Sequence, residues 1–201
     1  MKLYYHPNST FSQRVRIAAD EKNIALELAV VDMPAAAHKQ PPHLERNPYG
    51  RVPVLDDDGF ILFESTAILE YLEQLFPKPA LLPERAKERA LVHMHMKLAD
   101  VEVGVHTQRF IRPTRFVPRE KWRLDEMSAS RAAIDAHFRV VDEQVRGKQW
   151  LVADTFTLAE VCYAPFVRFI DELGLTVSDD VRAWAGRILS RPSVKRTWLE
   201  R

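Results

Sequence analysis

The 201-residue chain lacks the features that mark disulfide-rich, membrane and nucleic-acid-binding proteins. Its single cysteine, Cys162, excludes an intramolecular disulfide and suits a reducing compartment. No segment approaches the roughly 18 apolar residues of a membrane span, and the N-terminal MKLYYHPNS lacks the apolar run of a signal peptide. The formal net charge of +1 provides no bulk field that would attract nucleic acid or an anionic membrane. These absences predict a soluble cytoplasmic protein with neither nucleic acid nor membrane as a partner.

The first part of the chain has the pattern of an α/β domain. KLYY at 2–5 and LELAVV at 26–31 are strand candidates, and the apolar residues of 9–21 between them recur at near-helical spacing. A strand, a helix and a strand within about 30 residues is the length of a parallel crossover unit. DDDG at 56–59 separates VPVL from FILF and predicts a hairpin turn. A helix is predicted over 65–75.

After a proline-rich linker at 77–83, only helical periods remain. A long helix from residue 85 carries a narrow apolar stripe, typical of a core or a subunit interface, formed by Leu91, Met94, Leu98, Val101 and Val105. Pro113 and Pro118 predict a break, and a helix is predicted from 119 to 145. Thr157 and Glu160 form a T-x-x-E capping box, which predicts a helix over 157–173.

Pro53 stands where the strand candidate at 52–55 should begin, although proline has no N–H to give to a sheet. A cis peptide bond is found almost only before proline, and the residues alone leave both a trans and a cis Val52–Pro53 bond open. A strand edge left open beside Val52 could pair with an extended ligand.

Three motifs resemble the cytosolic glutathione transferase family, and they follow one another at that family's spacing. N-P-x-G-x-V-P-x-L runs from Asn47 to Leu55, an E-S pair precedes a helix at Glu64 and Ser65, and D-x-F-T-L-A-E spans 154–160. The resemblance covers nearly the whole chain and points to the serine-type, phi- and zeta-like bacterial members. It implies a thioredoxin-like α/β domain at 1–76 that binds glutathione. An all-helical bundle domain at 84–201 would contribute the electrophile pocket.

Ser9 is the candidate catalytic residue. From the residues alone it is either a helix cap or a hydrogen-bond donor, and Thr10 and Ser12 are rival hydroxyls. HPNSTFSQRV resembles the serine branch of the family, which implies that the Ser9 hydroxyl stabilises the glutathione thiolate. Because no cysteine lies nearby, a mixed disulfide with the protein is not expected.

The resemblance also implies how glutathione would be held. The main chain of Val52, fixed by a cis Pro53, would pair with the cysteine part of glutathione. Glu64 would bind the γ-glutamyl ammonium group, and Ser65 at a helix start would bind the γ-glutamyl carboxylate. At the other end the H-K pair would reach the glycine carboxylate, with added charge from a nearby arginine; these residues are His38, Lys39 and Arg51.

The arginine- and aromatic-rich segment 109–123 predicts a pocket for the second substrate. In the resembled fold, this end of the long helix would face the thiol, and the candidate lining residues are Phe11, His106, Arg109, Phe110 and Arg112. Aromatic rings beside arginines suit an apolar electrophile that carries an anionic group.

Taken together, these features predict a detoxifying glutathione transferase that uses glutathione as co-substrate, attacks a small electrophile and forms a homodimer. A zeta-like glutathione-dependent isomerase and a non-catalytic glutathione transferase-like binding protein are the alternatives. The zeta signature S-S-C reads Ser9-Thr10-Phe11 here, which counts against the isomerase. No metal is predicted, because the spacing of His95, Glu102 and His106 matches no known set of metal ligands.

Overall fold

Four short strands form the sheet of the first part of the chain, in a computed structural model that describes residues 1–199 and all of their side chains except those of Phe116 and Leu199. The strands are β1 (Lys2–Tyr5), β2 (Glu27–Val30), β3 (Val54–Asp57) and β4 (Phe60–Phe63), in the order β2-β1-β3-β4. β1 pairs parallel with β2 and antiparallel with β3, and β3 pairs antiparallel with β4. The mixed sheet confirms the expected α/β fold class.

The β3–β4 hairpin is closed by two residues with left-handed backbone angles. Asp57 pairs with Phe60, and the φ angles of Asp58 and Gly59 between them are 49° and 93°. Such angles match the right-handed twist of the flanking strands. The N–H of Gly59 also donates to the Asp56 carboxylate at 2.9 Å. The hairpin predicted from DDDG is therefore confirmed.

The helices of this unit cover the sheet. They are α1 (Thr10–Glu21), α2 (Pro41–Leu44) and α3 (Ser65–Leu75), with a 3₁₀ turn at Ala37–Lys39. α1 joins β1 to β2 as the predicted crossover helix. The core between sheet and helices is apolar and consists of Leu3, Tyr5, Val15, Leu55, Ile68 and Leu72.

The last helix of the chain, Pro192–Leu199, packs on α1 and belongs to the first unit. The sequence groups this helix with the helical domain predicted at 84–201. Glu21 accepts hydrogen bonds from Arg191 at 2.5 and 2.7 Å and from the Ser193 hydroxyl, and these bonds join the two ends of the chain. Residues 200 and 201 of the predicted helical domain lie outside the described residues.

The linker predicted at 77–83 is anchored to the first unit through Leu82. The ammonium group of Lys22 lies 2.6 Å from the Glu73 carboxylate and donates to the carbonyls of Phe76 and Pro79 at 2.7 and 2.8 Å. Glu73 accepts the N–H groups of Leu81 and Leu82 at 3.1 and 3.2 Å. This buried network explains why the first unit extends beyond the predicted residue 76.

The second unit, Pro83–Ser190, is helical throughout its described regular structure. Its helices are α4 (Ala86–Leu98), α5 (Val105–Phe116), α6 (Leu124–Val145), α7 (Leu158–Val167) and α8 (Asp179–Ser190), and the last helix of the chain is α9. A π-type segment, Ala99–Gly104, joins α4 to α5, and a 3₁₀ turn spans Arg119–Lys121. No helix within residues 1–199 is long and apolar enough to cross a membrane.

The helix predicted to break at Pro113 continues through it to Phe116. The missing proline N–H falls in the last turn, where it removes only one helical hydrogen bond. The break instead occurs at Val117, which is extended, with φ −123° and ψ 131°. This residue precedes Pro118, and proline disfavours helical geometry in the residue before it.

α7 is shorter than the predicted helix at 157–173. After Val167 the backbone bonds tighten to a three-residue spacing, as in Phe169 N–H to Phe166 carbonyl at 2.9 Å. The predicted capping box is confirmed: Thr157 accepts from the N–H of Ala159 at 3.2 Å, and Glu160 accepts from the N–H of Thr157 at 3.0 Å. Local cap chemistry therefore fixes the start of the helix but not its end.

The apolar stripe that runs along α4, the π-type segment and the start of α5 lies at the surface. Leu91, Met94, Val101 and Val105 are 45%, 41%, 37% and 43% exposed, and Leu98 is half-buried. Of the two roles that the sequence allowed for the stripe, the core is therefore wrong for the four exposed residues.

Candidate active site

Ser9 caps the N-terminus of α1. Its backbone is extended, with φ −78° and ψ 113°, and its hydroxyl oxygen accepts the N–H of Ser12 at 3.2 Å. The loop before it is held by Ser9 N–H to His6 carbonyl at 3.0 Å and by the Gln13 side-chain amide to Pro7 carbonyl at 2.8 Å. The oxygen of a hydroxyl can accept one bond while its proton is donated elsewhere. Capping therefore does not occupy the proton of Ser9.

The two rival hydroxyls are less accessible than that of Ser9. Thr10 is 3% exposed and Ser12 is fully buried, whereas Ser9 keeps part of its surface exposed. A ligand that approaches the start of α1 can therefore meet Ser9 more readily than either neighbour. This arrangement favours Ser9 as the hydroxyl that contacts the ligand.

The NPYG turn before Val52 is organised by Asn47. Its side-chain amide donates to the Arg51 carbonyl at 3.0 Å, and its side-chain oxygen accepts the N–H of Tyr49 at 3.1 Å. Gly50 has a φ of +58°, and a Cβ at this position would lie 2.7 Å from the His38 carbonyl oxygen. Glycine is therefore required both by the backbone angle and by the close approach of the 3₁₀ turn.

The main chain at Val52 lies outside the sheet. β3 begins only at Val54, which pairs with Tyr4 and Phe63, and the Val52–Pro53 peptide bond is cis. Among residues 1–199, no backbone hydrogen bond involves the N–H or the carbonyl of Val52. These groups have the hydrogen-bonding capacity that an added extended peptide would use.

The N-terminus of α3 meets a buried arginine. Ser65 is the first residue of α3, and its hydroxyl accepts from the Arg14 guanidinium at 3.5 Å. Arg14 is fully buried, and its guanidinium lies 4.9 Å from the centre of the Phe11 ring. A helix N-terminus and a cation both favour a carboxylate. The sequence prediction did not assign Arg14 a role, although a charge among the apolar residues of α1 was the available signal.

Glu64 precedes this helix in a strained conformation. Its φ is +71°, in the left-handed region, and its side chain is exposed. Non-glycine residues at positive φ cost free energy and cluster at functional sites. Glu64 and Ser65 therefore present a carboxylate and a helix start side by side.

His38 and Lys39 lie against the NPYG turn. The Lys39 ammonium group donates to the Tyr49 carbonyl at 3.0 Å, and Gly50 lies against the His38 backbone. Arg51 is exposed, with its guanidinium 5.9 Å from the Tyr49 ring centre. The structure thus brings His38, Lys39 and Arg51 to one turn, two residues before Pro53.

Two family models match the chain. The glutathione S-transferase N-terminal domain matches residues 3–80, and the glutathione S-transferase C-terminal domain matches residues 106–192. Glutathione S-transferase F6 of Arabidopsis thaliana is 30% identical, over 98% of this chain and 98% of its own. The chain belongs to the glutathione S-transferase family. The expected enzyme class, a glutathione transferase, is confirmed.

A solved structure of the family and a relative with another name add to this assignment. Glutathione transferase F7 from Populus trichocarpa superposes with a TM-score of 0.86 at 27% identity, covering 98% of this chain and 96% of its own. This likeness confirms the expected fold, a thioredoxin-like domain followed by helices. The maleylacetoacetate isomerase of Pseudomonas aeruginosa is 45% identical over 45% of this chain and 46% of its own.

The residues predicted for the second substrate of this glutathione transferase are divided between the two units. Phe11 lies on α1 of the first unit. His106, Arg109, Phe110 and Arg112 lie on α5 of the second unit. Within α5, Arg109 lines a pocket and Arg112 is exposed outside it. The two arginines, treated alike in the sequence prediction, therefore differ in their surroundings.

No group of three or more His, Cys, Asp or Glu side chains gathers as metal ligands within the described part of the chain. His95, which the sequence offered for such a role, is instead buried beside the ring of Tyr163, with ring centres 6.2 Å apart.

Proposed function

We propose that this glutathione transferase conjugates glutathione to an electrophilic small molecule, with the Ser9 hydroxyl donating a hydrogen bond to the glutathione thiolate. The observation that carries the proposal is the geometry of Ser9. Its oxygen accepts the N–H of Ser12 at 3.2 Å, at the accessible start of α1, and this leaves its proton for a sulfur. Ser9 would act in the cytoplasm, on small molecules rather than on nucleic acid or membranes.

The thiol must be ionised before it attacks. A free thiol has a pKa near 8.5 and is only a few per cent thiolate at neutral pH. A hydroxyl donor and the positive end of α1 both favour the anion and lower its pKa. The sulfur then forms a bond to an electrophilic carbon, and in a substitution the leaving group departs with its electron pair.

The remaining groups of glutathione have matching partners in the first unit. The free main chain of Val52 would pair with the cysteine part, beside Pro53. The Ser65 hydroxyl and the start of α3, with Arg14 behind them, would hold the γ-glutamyl carboxylate, and the exposed Glu64 would hold the ammonium group. At the other end of glutathione, the turn that carries His38, Lys39 and Arg51 would bind the glycine carboxylate.

The pocket for the electrophile is the part of the proposal that rests on the resemblance. Phe11 of the first unit and four α5 residues of the second unit, His106, Arg109, Phe110 and Arg112, would contact the second substrate. The charges of α5 suit an electrophile with an anionic group.

A homodimer is also proposed. The exposed stripe of α4 and α5 offers Leu91, Met94, Val101 and Val105 to a second copy, and an isologous interface would use the same surface on both copies. Four exposed aliphatic side chains along one helix face are the pattern of a contact surface rather than of a solvated helix.

The second candidate function is a glutathione-dependent isomerase. It is favoured by the 45% identity with the maleylacetoacetate isomerase over nearly half of the chain. In an isomerisation the thiolate adds to the substrate and is later expelled, so that glutathione is regenerated. The same site would serve both reactions.

Two assays with the purified protein and glutathione separate the candidates. A conjugating enzyme consumes the glutathione thiol when it turns over 1-chloro-2,4-dinitrobenzene and related electrophiles. An isomerase converts maleylacetoacetate with no net loss of thiol. Retention on glutathione resin without turnover in either assay would contradict both candidates and indicate a binding protein. Ser9→Ala should abolish most of the turnover and keep the retention.

A further inference from the structure

A small pocket lies within the second unit, between the end of α5 and the start of α6. Its volume is about 170 Å³. Its apolar wall is formed by Pro113, Val117 and Met127, and Met127 is only 5% exposed. A pocket of this size is smaller than the roughly 300 Å³ at which drug-sized ligand sites begin. It can therefore hold a single ring or a short branched chain.

The rim of the pocket carries an excess of positive charge. Arg109, Lys121 and Arg123 line it together with one carboxylate, Glu126. Arg123 lies 2.5 Å from the Glu126 carboxylate, so these two charges compensate each other. The side chains of Arg109 and Lys121 make no hydrogen bond or ion pair with any other described residue. Two uncompensated cations therefore face an apolar wall.

Hydrogen bonds to backbone carbonyls hold the walls of the pocket in place. The N–H of Val117 donates to the Pro113 carbonyl at 3.0 Å, and the indole N–H of Trp122 donates to the Val117 carbonyl at 2.8 Å. At the other wall, the N–H of Met127 donates to the Arg123 carbonyl at 3.0 Å. A site whose walls are already fixed loses little conformational entropy when a ligand binds.

We propose that this pocket binds a compact apolar carboxylate, such as a benzoate. The apolar group would lie against Pro113, Val117 and Met127, and the carboxylate would bind between Arg109 and Lys121. Guanidinium matches the geometry of a carboxylate with two parallel hydrogen bonds, and lysine adds a point charge. Glu126 does not repel the ligand strongly, because Arg123 neutralises it. The site shares Arg109 with the electrophile pocket of the proposed function, but it needs no glutathione, so binding without turnover tests it separately.

The experiment is a titration of 4-methylbenzoate into the full-length protein in the absence of glutathione. The methyl group of Met127 is followed by NMR in protein labelled at its methionine methyls, and Met127→Leu assigns the signal. We expect a saturable shift with a Kd on the order of millimolar, as suits a ligand of about ten heavy atoms. The affinity should fall with added salt, because the contact is ionic.

Matched variants test the assignment of the carboxylate. Arg109→Gln and Lys121→Gln should each weaken binding by roughly three- to tenfold. Arg139→Gln, at an exposed arginine of α6 that does not line the pocket, should change the Kd less than about twofold. The neutral 4-methylbenzamide should bind more weakly than the acid. A Met127 signal that does not saturate would overturn the proposal. An affinity for the acid that is the same in Arg109→Gln and Arg139→Gln would do so too.

Discussion

Lys22 and Glu73 form an ion pair of 2.6 Å in which the Lys22 side chain is fully buried and that of Glu73 is 5% exposed. Every other partner of the pair is a backbone group of the segment 76–82. α1 and α3 therefore hold the chain that leaves the first unit. A buried pair of this kind is costly to break, because the remaining charge stays in a low-dielectric environment.

Glu73→Gln should lower the free energy of unfolding by about 3 kcal/mol, since it leaves the Lys22 ammonium buried without a carboxylate. Asp20→Asn is the matched control, because the Asp20–Arg196 pair of the same unit is 31% and 60% exposed at its two side chains. The loss of unfolding free energy in Asp20→Asn should stay below about 1 kcal/mol. Urea denaturation measures both, and equal midpoints for the two variants would contradict the role of the buried pair.

If the exposed stripe is the surface of the proposed dimer, a charge placed on it should break the dimer. Val101→Glu would bury a carboxylate in an apolar contact between copies, and we expect it to convert the dimer into a 23.2 kDa species in sedimentation experiments. Leu124→Glu is the control, because Leu124 is 65% exposed in the same unit but lies outside the stripe. A wild-type protein that sediments only as the 23.2 kDa species at micromolar concentration would show that the stripe serves another purpose.

Removing the Ser65 hydroxyl should weaken the binding of glutathione. Ser65→Ala should raise the KM for glutathione by roughly tenfold and change kcat much less, because the contact is made equally in the ground and transition states. Lys39→Ala should act in the same direction more weakly, since Lys39 is exposed. Thr66→Ala, at the next position of α3, is the control. Unchanged KM values for Ser65→Ala and Lys39→Ala would place the glutathione site elsewhere.

The parts of the fold that the sequence predicted are those fixed by local chemistry. Asp58 and Gly59 adopt the positive φ that a two-residue hairpin needs, and Thr157 and Glu160 satisfy the first N–H groups of α7. The place of α9 depends on Glu21 and Arg191, which are 170 positions apart. No local pattern carries that contact, so the sequence alone groups α9 with the helices that precede it, whereas its contacts group it with the first unit.

In the candidate site, too, some residues are revealed by a local motif and others only by contacts between distant parts of the chain. Asn47, Gly50 and Pro53 have backbone requirements that a motif reveals, and the structure places all three in one turn. Arg14 was missed as a contributor because a buried arginine inside an apolar helix face looks like an interruption of the pattern. The role of Arg14 becomes apparent only in the folded protein, where α3 places the Ser65 hydroxyl 3.5 Å from the Arg14 guanidinium.

Two buried histidines predict that the protein is less stable in acid. His95 is 3% exposed beside Tyr163, whose hydroxyl lies 2.8 Å from His137. Burial lowers the pKa of His95 to about 4, and the charges of His137 and Lys148 act in the same direction. Burial also lowers the pKa of His137, against the raising effect of Glu102. Between these folded-state values and the unfolded value near 6.5, the unfolded chain binds more protons.

The stabilisation by neutral His95 is therefore complete above about pH 6.5 and is lost as the pH falls towards 4. Between pH 7.5 and 5, the free energy of unfolding should drop by on the order of 2 kcal/mol through His95. His95→Phe, which keeps an aromatic ring beside Tyr163, should flatten this dependence, whereas His93→Gln at an exposed site of the same helix should preserve it. The urea denaturation midpoint, measured across this pH range, tests this prediction. Midpoints that change with pH in parallel in the wild-type protein and both variants would refute it.

The observed helix-capping role of Ser9 and its proposed role as a donor to the thiolate can be measured separately. Ser9→Ala removes the oxygen that accepts the Ser12 N–H, which should cost about 1 kcal/mol of stability. In the proposed mechanism it also removes a hydrogen bond to the thiolate of about 1.5–3 kcal/mol, so the pKa of bound glutathione should rise by about one to two units. At neutral pH, kcat should fall roughly ten- to a hundredfold, and raising the pH should recover much of the loss.

Further variants at positions 9 and 10 separate the cap from the donor. Ser9→Asp keeps a capping oxygen but has no proton to donate when ionised, so it should retain stability and lose thiolate formation. Ser9→Thr keeps both functions and should restore most of the activity. The absorbance of the thiolate in the glutathione complex, titrated against pH, reports the donor role directly. A titration that moves in Thr10→Ala and not in Ser9→Ala would assign the hydroxyl to Thr10. If it moves in neither variant, the N-terminus of α1 and backbone donors hold the thiolate without a side-chain hydroxyl.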